Sequence, residues 1–325
     1  MPDIIEKNVS SWEEAQSYLE SQRTSKSSSS SPLPIVFKNI NLGPCTENWS
    51  DLCYLKEKLA NKQIVIHKSD KNETLNFVDK NFKYDKIMFD EFLDLLGEQS
   101  CSSNPNQVTY LRSTSTKNFR KDTANINIDF PEISNDIILN NSKSCHTFST
   151  IFRVSSNNTQ IWNHYDTINN FLMQIVGCKE VFLSPPSAAT YLKLKTNSDK
   201  PDVFDPWAST EADQESIPEK YIYKYCLQPG DVLFLPSHWF HATRVVQQKS
   251  KFSISVNHFW KQLNDPKNEF YDKKDIYGNK PPKPAQEIEL LSLKINKLLE
   301  KLPNEDIKEF YRLKAERMIE GSDYF

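Results

Sequence analysis

Residues 160–185 read QIWNHYDTINNFLMQIVGCKEVFLSP. Three short segments in this stretch, QIWNHYD, FLMQIV and EVFLSP, are rich in β-branched and aromatic residues and are divided by turn residues, which is the pattern of strands. The Gly177-Cys178 step predicts a tight turn, after which Lys179 opens a strand paired with residues 171–176. The same texture continues in both directions. Upstream lie IVFKNI (35–40), IVIH (64–67), TYLRS (109–113) and TIFRVSS (150–156), and downstream DVLFLP (231–236) and FSISVNHFW (252–260). Helical patterns interrupt them only near residues 51–60 and 89–98. Many short strands at this spacing predict a mainly β sandwich or barrel rather than alternating βαβ units.

The two ends differ from this centre. Residues 1–31 hold one helical signature, a capping box of Ser11 and Glu14, followed by the Ser-rich run Lys26–Ser31, which reads as a linker. Residues 32–280 form the β-rich region. Residues 281–325 begin with PPKP, after which Ile288, Leu291, Ile295, Leu298 and Leu302 fall at steps of 3, 4, 3 and 4, the apolar seam of a helix. Pro303 stops that helix and Asn304 can cap a second, where Ile307, Phe310, Tyr311 and Met318 continue an apolar face. Two readings stay open: the helical pair packs back on its own barrel, or its seam meets a second copy in a homodimer.

Composition removes several function classes. Among 325 residues, 40 Lys+Arg against 43 Asp+Glu leave a net charge of −3, so no global field draws the chain to nucleic acid. With only 6 Gly, and no GxGxxG or P-loop pattern, a phosphate-cradling loop is not expected. The longest apolar uncharged run, Phe171–Gly177, is far short of the roughly 20 residues needed to span a bilayer. A membrane protein is not expected. The N-terminus lacks the apolar core of a secretory signal, and the six cysteines form no CxxC pair, so free thiols in a cytoplasmic or nuclear protein are the expectation.

The residues that could carry chemistry start with His164 and Asp166. On a strand, residues two apart share a face, so this imidazole and carboxylate can converge on one ion. An imidazole from a distant strand completes a set of two His and one carboxylate, which leaves coordination positions open on iron(II). Zinc favours a closed, Cys- or His-rich tetrahedral set, and none is apparent. The stretch LQPGDVLFLPSHWFH (227–241) places a Pro229-Gly230 turn, a strand and then an aromatic-flanked histidine, His241.

HxD, then Asn170, then Lys179, then PGD…PxxWxH resembles the JmjC branch of the 2-oxoglutarate oxygenases. Several further segments are similar to the tRNA wybutosine-synthesising hydroxylases within that branch: INLGPCTENW (40–49), YLRS (110–113), RKDTANI (120–126), FRVSS (152–156), VNHFWK (256–261) and YDKKDIYGNKPP (271–282). The resemblance implies a double-stranded β-helix (the jelly-roll or cupin barrel) with an appended C-terminal helical pair. It implies that His164, Asp166 and His241 hold Fe(II), and that Tyr110, Asn170 and Lys179 hold 2-oxoglutarate, with O2 as the other co-substrate. It further implies hydroxylation of the wybutosine side chain at the guanosine 3′ of the phenylalanine tRNA anticodon. A JmjC protein hydroxylase or lysine demethylase would share the metal residues, and a non-catalytic cupin module would share the fold alone.

Other residues invite blander readings. His238, three before His241, reads as a loop histidine, and His67, His146 and His258 as ordinary surface or core histidines. Asn257 either lines the co-substrate pocket or satisfies backbone groups, and Arg153 serves substrate recognition or a structural ion pair. Basic patches at Lys56–Lys62, Lys80–Lys86, Lys117–Lys121 and Lys193–Lys200 are the places where tRNA phosphates could be met.

Overall fold

The computed structural model describes residues 2–25, 32–69, 74–77, 80–99, 107–113, 123–143, 145–192, 204–207, 217–246, 250–262 and 283–321. Its strands are β1 (Ile5–Asn8), β2 (Ile35–Lys38), β3 (Gln63–Ser69), β4 (Lys83–Met88), β5 (Val108–Arg112), β6 (Cys145–Ser156), β7 (Gln160–His164), β8 (Asn169–Val176), β9 (Cys178–Ser184), β10 (Tyr223–Leu227), β11 (Val232–Leu235), β12 (Phe240–Val246) and β13 (Phe252–Gln262). Helices are α1 (Trp12–Ser25), α2 (Cys45–Asn48), α3 (Leu52–Leu59), α4 (Phe89–Gln99), α5 (Ile126–Asp129), α6 (Lys283–Leu299) and α7 (Glu305–Ile319). The helices expected near 51–60 and 89–98 are α3 and α4.

The strands form a nine-stranded sheet, β1-β2-β11-β8-β13-β6-β5-β3-β4, and a four-stranded sheet, β10-β9-β12-β7. Pairing is antiparallel except between β1 and β2. The run FLMQIV is apolar on both faces because both faces are covered. Phe171, Met173 and Ile175 turn outward into a core with Trp12 and Leu19 of α1, Leu55 and Leu59 of α3, and Phe92 and Leu96 of α4. Leu172 turns inward and meets Val181 and Leu183 of the small sheet, with Val36, Leu233 and Leu235. Two sheets facing one another across such a core make the jelly-roll barrel. A third cluster, with Phe182, Ala188, Phe204 and Phe240, packs against the small sheet.

One expectation is corrected. β9 does not pair with β8: it pairs with β10 and β12, so the chain crosses from one sheet to the other at Gly177. The crossing is possible there because Gly177 takes φ +71°, and a Cβ at this position would lie 2.7 Å from the carbonyl oxygen of Phe252. The crossover puts Lys179 on the small sheet, facing the large one.

The PGD turn is pinned from several sides. Gly230 takes φ +90° and its N–H donates to Gln174 O at 2.8 Å. Asp231 is buried, accepts from Gln228 N at 2.9 Å and pairs with Lys38 Nζ at 2.7 Å. This fixes β11, from which the chain runs through a short loop to His241 on β12.

At the N-terminus, Trp12, Ala15 and Leu19 are buried in the barrel's outer core, so α1 packs on the large sheet. Ser11 Oγ accepts from Glu14 N at 3.2 Å, as the capping box requires. At the C-terminus, Asn304 caps α7 by accepting from Ile307 N at 2.9 Å. The seam is open to solvent: Ile288, Leu291 and Leu298 are 65%, 58% and 53% exposed, and Phe310 and Met318 of α7 are also exposed. Packing of this seam against the chain's own barrel is therefore not what the structure has. No helix among the described residues is long and apolar enough to cross a membrane.

Candidate active site

His164 ends β7, and Asp166 stands just past it in the loop rather than on the strand itself. The loop is held by the segment after β11. His238 N donates to Asp166 O at 2.7 Å, and Ser237 N donates to Asn169 Oδ1 at 3.1 Å. His238 takes the left-handed conformation at φ +66°, rare for a residue with a Cβ, and its ring stacks on Tyr165 at 5.6 Å. His238 is thus a loop residue that positions its neighbours. His241 follows on β12, opposite His164 in register, with an irregularity between His241 and Thr243.

One ligand atom each from His164, Asp166 and His241 lies within 4.8 Å of the others. His241 Nε2 is 3.4 Å from Asp166 Oδ2. Each imidazole is oriented through its other nitrogen: His164 Nδ1 meets Trp162 O at 2.8 Å, and His241 Nδ1 meets Trp239 O at 3.0 Å. A carbonyl can only accept, so Nδ1 carries the proton and Nε2 presents its lone pair to the shared point. Trp162 also stacks on His164 at 4.2 Å and 19°, clamping the ring. Burial, reinforced by His241, holds the His164 pKa down to about 3, so this ring is neutral at physiological pH. Burial works against the Asp166 carboxylate, but contact with the His241 imidazole and the positive charge nearby, including Arg153, outweigh it and hold the pKa down to about 2. An ionised carboxylate and a neutral imidazole, as at Asp166 and His164, are states that ligate a divalent cation.

The triad opens on a cavity of about 490 Å³, including its mouth, between the two sheets. The lining also carries cationic and polar groups: Tyr110, Arg153, Ser155, Lys179 and Asn257. Lys179 is 6% exposed, its Nζ donates to Ser255 Oγ at 2.7 Å, and burial with the nearby Arg153 lowers its pKa to about 7. Tyr110, 1% exposed, accepts a hydrogen bond from Arg153 Nη1. Asn170 is fully buried on the inner face of β8, paired with Leu235 and two residues before Leu172, both of which line the cavity.

The structure therefore brings His164, Asp166, His241, Tyr110 and Lys179 to one cavity and places Asn170 beside it. Sequence reasoning left Arg153 unassigned and did not mention Ser255. The available signal was the alternation in FSISVNHFW, where Ser253, Ser255 and Asn257 put polar groups on the inner face of β13. His67 is a core histidine beside the site, ringed by Phe77, Phe82, Tyr84 and Tyr110. His258 is buried and His146 exposed. Of the basic patches, Lys56 and Lys62 are engaged by Asp94 and Glu132. Lys80, Lys83 and Lys86 are exposed, and residues 117–121 and 193–200 lie outside the described residues.

Comparison with known proteins gives this geometry a context. Residues 21–266 match a family described as a cupin-like domain. The tRNA wybutosine-synthesizing protein 5 of Gallus gallus is 37% identical over 294 residues, covering 88% of this chain and 86% of that protein. This chain belongs to the tRNA wybutosine-synthesizing protein 5 family. The family's Homo sapiens member is 36% identical over 296 residues, covering 88% of this chain and 87% of its own. The similarity extends to the tRNA wybutosine-synthesizing protein 4 of Neurospora crassa, 30% identical over 288 residues, which span 86% of this chain and 22% of that longer protein. In this member of the family the His-Asp-His group and the cationic cavity occur together on the barrel.

Proposed function

We propose that this chain is an Fe(II)- and 2-oxoglutarate-dependent hydroxylase of the wybutosine-type side chain at the guanosine 3′ of the phenylalanine tRNA anticodon. The observation that carries the chemistry is the lining of one cavity, which holds the His-Asp-His group together with buried Lys179 and half-buried Arg153. The family relationship carries the choice of tRNA.

The residues fit the implied groups. Two imidazoles with Nδ1 committed to carbonyls and one carboxylate suit a divalent ion that keeps positions free for other ligands. Lys179 finds a hydroxyl rather than a carboxylate, and buried polar atoms of Asn170, Asn257 and Arg153 have no partner. Orphaned buried donors are costly unless a ligand accepts from them, and a small dicarboxylate can accept from N–H groups such as Asn170 Nδ2 and Arg153 Nε. When bound, iron(II) with 2-oxoglutarate supplies oxidative decarboxylation of the keto acid to succinate, coupled to insertion of one oxygen atom of O2 into a C–H bond.

The chain's own contribution is to hold and to exclude. His164, Asp166 and His241 would fix the metal. Lys179 would pair with the distal carboxylate of the co-substrate, with Tyr110 as a hydrogen-bond donor to it and Asn170 as a polar neighbour. Leu172 and Leu235 would keep water from the space between. The base would enter from the mouth, unstacked from the anticodon loop, as single-stranded RNA targets are usually read. Residues 281–325 would form a separate unit that pairs two copies through the exposed seam of α6 and α7, and 32–280 the catalytic domain.

Anaerobic titration tests the chemical half of this reading. The full chain should bind one Fe(II) and, with 2-oxoglutarate added, develop a visible charge-transfer band, and His164→Ala and Asp166→Ala should show neither. A band of wild-type strength in either variant would remove these residues from the metal site. Succinate formation stimulated by peptides and indifferent to tRNA would favour a protein hydroxylase instead.

A further inference from the structure

Arg153 is the only arginine among the described residues that line the cavity, and the metal and co-substrate assignments above leave it without a task. It lies on β6, between register partners Arg112 on β5 and Ser255 on β13. Ser255 is the residue that Lys179 reaches from the small sheet. Two cations thus converge on one region of the cavity, and no carboxylate among the described residues stands within ion-pair distance of Arg153. Its charge is felt by Asp166 in the same cavity, but not as a close ion pair.

What Arg153 does contact is the phenol of Tyr110, to which its Nη1 donates. A guanidinium has donors only, whereas a phenol has one proton to give and lone pairs to accept with. In this pair the Tyr110 oxygen must be the acceptor, and its proton is left for another partner. Tyr110 has little freedom to adjust. Its carbonyl is met by His67 Nδ1 at 3.1 Å, and its ring packs on His67 and Phe77 at 5.6 and 6.0 Å. Arg153 in turn is paired on both sides, with Arg112 of β5 and Ser255 of β13, and its Nε is buried and unpartnered.

We propose that Arg153 is a positioning residue that, by donating to the Tyr110 oxygen, commits the phenol to act as a hydrogen-bond donor toward the distal carboxylate of the dicarboxylate co-substrate beside Lys179. The role rests on the reading of the cavity given above. Without Arg153 the phenol rotates its proton toward whatever acceptor is nearest, and an anion arriving in the cavity must reorganise it. The positive charge of Arg153 adds a direct attraction for the dianion, and that part does not pass through Tyr110. The two contributions separate in a double-mutant cycle.

The test is calorimetric titration of 2-oxoglutarate into the full chain loaded with Ni(II), for wild type, Arg153→Met, Tyr110→Phe and the double variant. Arg153→Met should raise the Kd about tenfold or more, in keeping with a charge-assisted hydrogen bond. In the Tyr110→Phe background the same change should raise it only about twofold, because the phenol it would orient is gone. Arg153→Lys, which keeps a donor and a charge, should recover most of the lost affinity. Equal loss in both backgrounds overturns the positioning role and leaves Arg153 an independent charge. A lysine variant as weak as the methionine variant overturns it too, and remains readable if the methionine variant fails to fold. Wild-type protein that takes up Ni(II) but binds no 2-oxoglutarate would overturn the co-substrate reading itself, a different failure.

Discussion

Burial and the neighbouring Arg153 hold the Lys179 ammonium far below an ordinary lysine, at about 7. Because the folded pKa is lowered, the native state resists protonation here. The cost of burying the charge is present below about pH 7 and is relieved as pH rises from there toward the unfolded value. Co-substrate binding has the opposite requirement, since a carboxylate pairs with the charged form. Above pH 7 each binding event must take up a proton, so the Kd for 2-oxoglutarate should rise with pH, by up to about tenfold per unit. Calorimetry at several pH values, repeated in buffers of different ionisation enthalpy, reads both the slope and the proton. A flat profile would mean that Lys179 is charged throughout. Lys179→Ala should weaken binding by about 2 kcal/mol or more, roughly 30-fold, with metal uptake intact. At this scale much was legible in the sequence. HxD and the histidine of HWFH are local patterns, and resemblance supplied Tyr110 and Lys179. Alternation in FSISVNHFW put Ser255 on a polar face, but the pairing of Ser255 with Arg153 lies in the register of β6 against β13, which no local pattern encodes.

The element scale shows where period and turn chemistry suffice and where they do not. Alternation located the strands, and the capping box at Ser11, the cap at Asn304 and the 3-4 spacing located the terminal helices, because these are properties of single segments. Partner choice is a property of pairs. The Gly177-Cys178 step reads as a hairpin turn, yet β8 and β9 join different sheets. A positive φ serves a hairpin and a crossover alike, and the deciding contact is the Phe252 carbonyl, 2.7 Å from where a Cβ would sit. Gly177→Ala should therefore destabilise the fold by about 1–3 kcal/mol, read as a lowered urea midpoint. An unchanged midpoint would show that the crossover tolerates a side chain. The exposed seam of α6 and α7 gives a second expectation at this scale. Light scattering should find a dimer for the full chain, and Leu291→Lys with Leu298→Lys should yield a monomer that still binds Fe(II). A monomeric wild type at micromolar concentration would remove the proposed pairing.

On the scale of the whole molecule, the barrel, the helices that cover its large sheet and the C-terminal pair form a shape whose only acidic-and-imidazole metal group among the described residues opens into a cationic cavity. The net charge of −3 places any attraction for RNA in local patches. The Lys80–Lys86 region is exposed, whereas Lys56 and Lys62 are paired with carboxylates. The cavity chemistry does not specify a substrate, and the proposed one rests on the relationship to proteins named for tRNA wybutosine synthesis. The most direct measurement is mass spectrometry of nucleosides from phenylalanine tRNA that carries the unhydroxylated wybutosine base, after incubation with the protein, Fe(II), 2-oxoglutarate and air. The account predicts a gain of one oxygen on that base, matched by one succinate and absent with His164→Ala. Succinate formed without any change in the base, or oxygen gained equally with His164→Ala, would contradict it.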